Sequence, residues 1–330
     1  MPSKILCTIG DIFALEGKKI LESLGSVDYA TPTQKQIAGV IGKYDVVVAQ
    51  LGITFDATIL KRAKHLKILA TPATGTDHID LAAAEKLGIT VISLKHEIDF
   101  LRNIPSTAEH TWGLLLALIR NTMPAFDDVR DGTWEGKPFA GTELKGKTLG
   151  VIGVGRLGTI VAGYGKAFGM NVIGCDLSKI PSSVCKQVKL EPLLRQSDVV
   201  TLHVHLTEET HHLMNAARLR MMKSTAVLMN TARGKIVDQT ALLKALKGKK
   251  IAGYAADVLE HEMQFGKDCS GDPLVRFAAS HGNVLLTPHI GGRTYEARMK
   301  TDVFIAARIK EALSSKKSFQ VAIKTRVIAA

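Results

Sequence analysis

The stretch Lys147-Thr-Leu-Gly-Val-Ile-Gly153-Val-Gly155-Arg-Leu-Gly158, followed after a helix-like run by Asn171-Val-Ile-Gly-Cys-Asp176, decides how this chain is read. Leu149 to Ile152 form a short apolar run bounded by a turn, the pattern of a buried strand. Gly153, Gly155 and Gly158 carry G-x-G-x-x-G spacing, and Asp176 ends the next apolar segment, 18 residues beyond Gly158 (176 − 158). Each part has a physical task in holding a dinucleotide. Gly153 allows the tight turn off the strand, Gly155 lets the backbone approach a pyrophosphate, and Gly158 lets the next helix pack closely. The helix start offers N–H groups to the phosphates. Asp176 is spaced to accept hydrogen bonds from an adenosine ribose. Glycine turns are common, but strand, turn, helix and distant acid together predict a dinucleotide site.

Working outward, short apolar strands alternate with amphipathic helices on both sides of this stretch, which predicts parallel sheets covered on both faces. Upstream, strands are expected over 4–9, 45–49, 66–70 and 89–93, with helices near 14–24, 56–65 and 79–87. No second G-x-G-x-x-G occurs there. Downstream, segments 198–203, 225–230, 251–256 and 283–287 bring residues 147–287 to six strand candidates, with helices near 215–222 and 238–247. Ser106-Thr-Ala-Glu109 has capping-box spacing and opens an apolar helix to Ile119, of the kind buried between domains or subunits. Residues 121–146, rich in Pro and Gly, read as an irregular arm whose Trp134 and Phe139 need a partner surface. Gly163 and Gly165 inside a helix read as close packing. Thr294 to Leu313 reads as a helix crossing back to the first domain. The chain is thus expected to be α/β with a discontinuous first domain, residues 1–102 and 290–330, interrupted by a dinucleotide-binding domain over 103–289.

Composition narrows the class. With 330 residues, 46% hydrophobic and 22% charged, the chain has material for two cores. The formal charge of +12 suits anionic ligands. No basic helix interleaved with aromatics appears, so nucleic acid is not an expected partner, and basic Lys310, Lys316, Lys317, Lys324 and Arg326 read as a solvated helix face and end. The longest apolar run, Trp112 to Ile119, is far below a membrane span. The N-terminal apolar stretch is too short for a signal peptide. Four cysteines without C-x-x-C spacing favour a reducing compartment. A cytoplasmic protein is expected.

In open α/β sheets, ligands sit beyond the carboxyl ends of the strands. Three such ends here carry chemistry: Thr231-Ala-Arg233-Gly234, Asp257 with Glu262 five residues on, and Pro288-His289. An Arg grips a carboxylate as a planar fork. A His gives a carbonyl oxygen its proton, and a Glu orients that ring and favours its protonated form. Arg233, Glu262 and His289 are therefore the candidate catalytic set for reducing a 2-keto acid. His203 and His205 share a strand face and precede His211 and His212, but no cysteine or carboxylate cluster completes a ligand set, so no metal is expected.

These same residues carry a family resemblance. Gly153-Val-Gly-Arg-Leu-Gly158, Asn230-Thr-Ala-Arg-Gly234, Ala256-Asp-Val-Leu-Glu-His-Glu262 and Thr287-Pro-His-Ile-Gly-Gly292 resemble the D-isomer-specific 2-hydroxyacid dehydrogenases. So do Thr74-Gly-Thr-Asp-His-Ile-Asp80 and Thr107-Ala-Glu-His110. The resemblance runs from about residue 40 to 310. It implies an NAD-binding Rossmann domain inserted into a flavodoxin-like substrate domain, a homodimer formed through the cofactor domain, and an NAD-dependent oxidoreductase of small anionic 2-keto or 2-hydroxy acids. It makes Arg233, Glu262 and His289 catalytic, and gives Thr74, Gly75, Arg233 and His289 to the substrate. It places Thr74, Thr107, Gly153, Gly155, Arg156, Leu157, Gly158, Asp176, Val204, Thr231, Ala232, Arg233, Asp257, His289, Gly291 and Gly292 along the cofactor. Asp176 favours NAD over NADP, since a 2′-phosphate would face a carboxylate.

The chain departs from the family pattern at Ala73, where Gly often stands, at Met263 and His205, where Pro is common, and in a longer Leu94–Arg102 segment. Glu262 and Thr74 separate it from the formate branch, which has Gln, and the phosphite branch, which has Lys. The alternative class is an NAD(H)-sensing binding protein of corepressor type. The side-chain pocket of the substrate is not legible, its candidate contributors being Gln50, Leu51, Gly52, Leu94–Arg102 and the Met263–Gly282 loop.

Overall fold

A computed structural model describes residues 2–314. Lys316, Lys317, Lys324 and Arg326, and the part of the first-domain expectation past residue 314, lie outside the described residues. The chain divides into two units, one of residues 2–101 with 294–314, the other of residues 102–293.

The first unit is a five-stranded parallel sheet of β1 (Ser3–Cys7), β2 (Gly25–Tyr29), β3 (Val46–Val48), β4 (Ile68–Ala70) and β5 (Thr90–Ile92), in the order β2-β1-β3-β4-β5. This is the flavodoxin-like order. Helices α1 (Leu15–Glu22), α2 (Gln34–Val40), α3 (Ala57–Leu60), α4 (Leu81–Lys86) and α5 (Ile98–Leu101) connect it. Three elements were not legible in the sequence: β2, α2 and α5, the last a four-residue helix with only Leu101 buried. β2 has no fully buried position and α2 has only one, Ile37, so neither shows a strong periodicity. Leu6, Val47, Phe55, Leu69 and Ile79 form the core on one face. The returning helix, Tyr295–Ser314, packs on α1. Its buried Asp302 accepts the Ala14 N–H at 3.0 Å and so steadies the approach to α1, whose own N-cap residue supplies no side-chain bond. Burial raises the Asp302 carboxyl above its usual range, against the bonds from Ala14 and Arg298.

The second unit is a seven-stranded parallel sheet. Its strands are β6 (Thr148–Ile152), β7 (Asn171–Cys175), β8 (Lys186–Gln187), β9 (Val199–Leu202), β10 (Val227–Asn230), β11 (Gly253–Ala256) and β12 (Val284–Leu286). The spatial order is β12-β11-β10-β9-β6-β7-β8. Numbered within the unit this is 7-6-5-4-1-2-3, the doubly wound dinucleotide order with one strand added. The sequence gives six candidates, because β8 is two exposed polar residues with no pattern to detect. Helices α6 (Ser106–Ile119), α7 (Thr122–Arg130), α8 (Arg156–Ala167), α9 (Leu190–Gln196), α10 (Ala216–Met221), α11 (Gln239–Lys247) and α12 (Pro273–Ala278) cover it, and the returning helix is α13. One core joins Leu115, Leu118, Leu149, Val161 and Ala255 beneath α6 and α8. The other joins Leu194, Leu228, Leu242, Tyr254 and Phe277 on the opposite face.

Four local expectations are corrected. Ser106 is the first residue of α6 and not its cap; Pro105 occupies the cap position, and the buried Ser106 hydroxyl has no hydrogen-bond partner among the described residues. The arm over 121–146 contains α7, which starts from Asn121 in the left-handed region (φ 52°). The Met263–Gly282 loop contains α12, capped by Asp272 on the Leu274 and Val275 N–H groups. Gly165 does pack tightly, since a Cβ there would lie 2.6 Å from Leu149, but Gly163 faces open space.

Candidate active site

The turn after β6 is built as its residue types require. Gly153 has φ +86°, a region that side chains disfavour, and a Cβ on it would lie 2.7 Å from the His203 backbone and 2.8 Å from Val204. A Cβ at Gly158 would lie 2.0 Å from the Gly153 carbonyl oxygen. At Gly155 the opposite holds: a Cβ would meet nothing within 4 Å. Gly155 is also the N-cap of α8 and supplies no side-chain bond, leaving the first-turn N–H groups of Arg156 and Leu157 to an incoming anion. Space at Gly155 beside a helix start fits a pyrophosphate. The Arg156 guanidinium donates to the Ile104 carbonyl at 2.7 Å, and burial lowers its basicity.

Asp176, at the end of β7, accepts the Val154 N–H at 2.7 Å through Oδ2 and the Ser178 N–H at 2.8 Å through Oδ1. Those bonds hold it against the glycine turn. Each oxygen keeps a further lone pair for a ribose hydroxyl. His203 bonds Thr201 Oγ1 at 2.9 Å. Burial pushes its pKa down to about 4, so it is neutral at pH 7.

At the other strand ends the catalytic candidates meet in part. His289 Nδ1 lies 2.9 Å from Glu262 Oε1, and Glu262 Oε2 accepts the Leu259 N–H at 3.2 Å. His289 has φ 54°, an uncommon conformation for a non-glycine residue. Asp257 is what holds the turn in place. Its carboxylate, 2% exposed, accepts Thr287 Oγ1 at 2.6 Å, Ile290 N–H at 2.8 Å and Gly291 N–H at 2.7 Å, while its carbonyl accepts the His289 N–H at 2.9 Å. His110 Nε2 completes the cluster at 3.3 Å from Asp257 and 2.9 Å from Thr287 Oγ1. Burial pushes the Asp257 carboxyl up, and these bonds outweigh it and hold it below the usual carboxylate range.

Arg233 follows β10 on a turn shaped by buried Asn230, which accepts the Ala232 N–H and donates to the Arg233 carbonyl. Arg233 Nη1 donates to the Ala232 carbonyl at 2.7 Å. The next residue, Gly234, abuts Leu259, where a Cβ would lie 2.0 Å from the backbone, so the Arg233 turn lies against the segment carrying Glu262. Thr231 joins Thr111 of α6 by a 2.6 Å hydroxyl bond. Gly291 sits against Thr107 and His110, and Gly292 also approaches Thr107. Of the residues named from sequence, Thr107, Asp257, His289, Gly291 and Gly292 therefore gather with Glu262, while Gly153, Val204 and Asp176 gather at the glycine turn. Thr74 and Gly75 lie in the loop after β4, in the first unit. His110 and Thr287 were missed as functional partners. Both stand inside the motifs quoted for the resemblance, but neither has a chemistry that singles it out before Asp257 is known to be buried between them.

Residues 112–291 match the model of the D-isomer specific 2-hydroxyacid dehydrogenase NAD binding domain. Among curated relatives, the glyoxylate reductase of Thermofilum pendens is 39% identical over 281 residues, covering 82% of this chain and 78% of that protein. The chain belongs to the D-isomer specific 2-hydroxyacid dehydrogenase family. The D-3-phosphoglycerate dehydrogenase of Methanocaldococcus jannaschii is 38% identical over 317 residues, 94% of this chain but 57% of that protein, so the chain spans little more than half of that relative. Among solved structures, the D-lactate dehydrogenase of Aquifex aeolicus, complexed with NAD and lactic acid, is similar at TM-score 0.82 and 30% identity, covering 94% of this chain and 96% of that one. Among the described residues no helix of this family member is long and apolar enough to cross a membrane.

Proposed function

We propose that the protein is an NAD-dependent D-2-hydroxyacid dehydrogenase, working as a 2-keto acid reductase. The observation that carries this reading is the 2.9 Å contact of His289 Nδ1 with Glu262 Oε1, in the unit that matches the family's NAD binding domain. With Nδ1 held by Glu262, His289 Nε2 is the atom that donates a proton to the substrate oxygen during reduction and takes it back in the reverse direction. Arg233 grips the carboxylate and carbonyl. Asp257 fixes the backbone from which His289 projects. The dinucleotide, when bound, supplies or accepts the hydride. Thr74 and Gly75 are assigned to the substrate carboxylate on the family motif. Residues 102–293 take the role of cofactor domain, and the remaining unit that of substrate domain.

We also propose a homodimer through the cofactor domain. α7 buries none of its residues and exposes Met123, Phe126 and Val129, and Trp134 beyond it is 91% exposed. Such an apolar surface fits a second copy. The four free cysteines fit a reducing, cytoplasmic setting.

The test is NADH oxidation with a panel of glyoxylate, hydroxypyruvate, pyruvate, branched and aromatic keto acids, and phosphohydroxypyruvate. Turnover of at least one member is expected. Tight NADH binding with no turnover on any of them overturns the enzyme reading in favour of a nucleotide-sensing protein.

A further inference from the structure

Close to the catalytic segment, but outside the set just described, lies a cluster the reaction does not use. His211, His212 and Glu260 each offer one ligand atom, and these atoms lie within 4.8 Å of one another. Among the described residues no other three His, Cys, Asp or Glu side chains do so. Glu260, 48 residues from His212 (260 − 212), is the carboxylate that the sequence alone could not pair with the histidines.

The chain builds this cluster from several directions. Thr207 and Thr210 close a turn, with Thr210 Oγ1 bonded to the Thr207 N–H at 2.7 Å and to the His205 carbonyl at 2.6 Å. The His211 N–H donates to the Thr207 carbonyl and the His212 N–H to the Lys235 carbonyl. The two imidazoles stack, with centroids 4.0 Å apart and planes 30° apart. His212 Nε2 lies 2.6 Å from Glu260 Oε1. The other Glu260 oxygen accepts the Gln239 N–H at 3.1 Å, and Gln239 Nε2 is in turn bonded to buried Asp272 at 2.8 Å. Outer-tier bonds of this kind orient the ligands of a metal.

We propose that His211, His212 and Glu260 form a binding site for a divalent ion of the zinc type. Two imidazoles and one carboxylate are a zinc donor set, with the fourth position left to water. Bonds of about 2.1 Å to a tetrahedral ion set the donors about 3.4 Å apart. The His212–Glu260 contact then opens by under about 1 Å, and exposed His211 turns in to supply the third donor. A simple His212–Glu260 ion pair has no use for His211, which makes His211 the discriminating residue. An ion here ties the Thr207–His212 turn to Glu260, two residues before Glu262, and so braces the segment that carries the partner of His289.

The experiment uses untagged protein stripped with chelator and titrated with zinc by calorimetry, then with cobalt(II) for its visible spectrum. The proposal expects saturable binding of one zinc per chain, a cobalt spectrum of tetrahedral type and a rise in Tm on binding. His211→Ala and Glu260→Gln weaken zinc binding by more than about tenfold, since even outer-tier changes cost roughly that much. Cys269→Ser, which removes the exposed thiol, leaves the binding intact. Absence of saturable binding, equal binding by His211→Ala, or loss of binding in Cys269→Ser each overturns the proposal.

Discussion

Gly155 and Gly158 stand three residues apart in one turn and face opposite surroundings, open space at one and the Gly153 carbonyl at the other. Gly155→Ala therefore leaves stability within about 0.5 kcal/mol and weakens NADH binding by at least about tenfold, or 1.4 kcal/mol. Gly158→Ala forces the backbone apart and destabilises its unit by about 1–3 kcal/mol. Thermal melts with and without NADH separate the two, and equal effects on both readouts would contradict the assignment of Gly155 to the ligand. Asp257 carries a pH signature. Its folded pKa lies below its unfolded value, so its contribution to stability is complete above about pH 4 and is lost as pH falls through the lowered folded value. Asp257→Asn turns an N–H donor toward the N–H groups of the 287–291 turn and costs about 1–3 kcal/mol near neutrality. In Tm profiles from pH 6 to pH 3, the variant's acid slope is shallower than that of the wild type. Parallel profiles would remove Asp257 from this role.

At the scale of elements, α6 shows where local pattern and tertiary placement part. Ser106 and Glu109 have capping-box spacing, yet the helix begins one residue early and buries the Ser106 hydroxyl without a partner among the described residues. A true cap would make Ser106→Ala cost about 1 kcal/mol, whereas an unpartnered buried hydroxyl makes the same change neutral or stabilising. A loss of about 1 kcal/mol in denaturant melts of the unliganded protein would restore the cap. The same contrast explains what the sequence made legible. β6, β7, β9 and β10 are short apolar runs, and their periodicity announces them. β8, with two exposed residues, and α7, with no buried residue, leave no such trace. At the site, Arg233, Glu262 and His289 were legible because each follows a strand end and has a chemistry of its own. The clamp of Asp257, Thr287 and His110, like the pairing of His212 with Glu260, depends on contacts across 30 to 177 positions of sequence that no local pattern encodes.

For the whole molecule, the apolar surface of α7 and Trp134 carries the prediction of assembly. The chain has a mass of 35.6 kDa, and sedimentation is expected to give a species of twice that. Phe126→Asp combined with Trp134→Ala shifts the population to monomer, and a wild-type protein that sediments as a monomer at micromolar concentration contradicts the dimer. Acid–base chemistry through His289 is the role on which the whole proposed function depends. It is tested most directly by kcat/KM for NADH-dependent reduction of the best keto acid, measured side by side for the wild type and His289→Ala. Turnover by the wild type and a loss of about 10²–10⁴-fold in the variant are expected, with NADH still bound. Undiminished turnover by His289→Ala would contradict it.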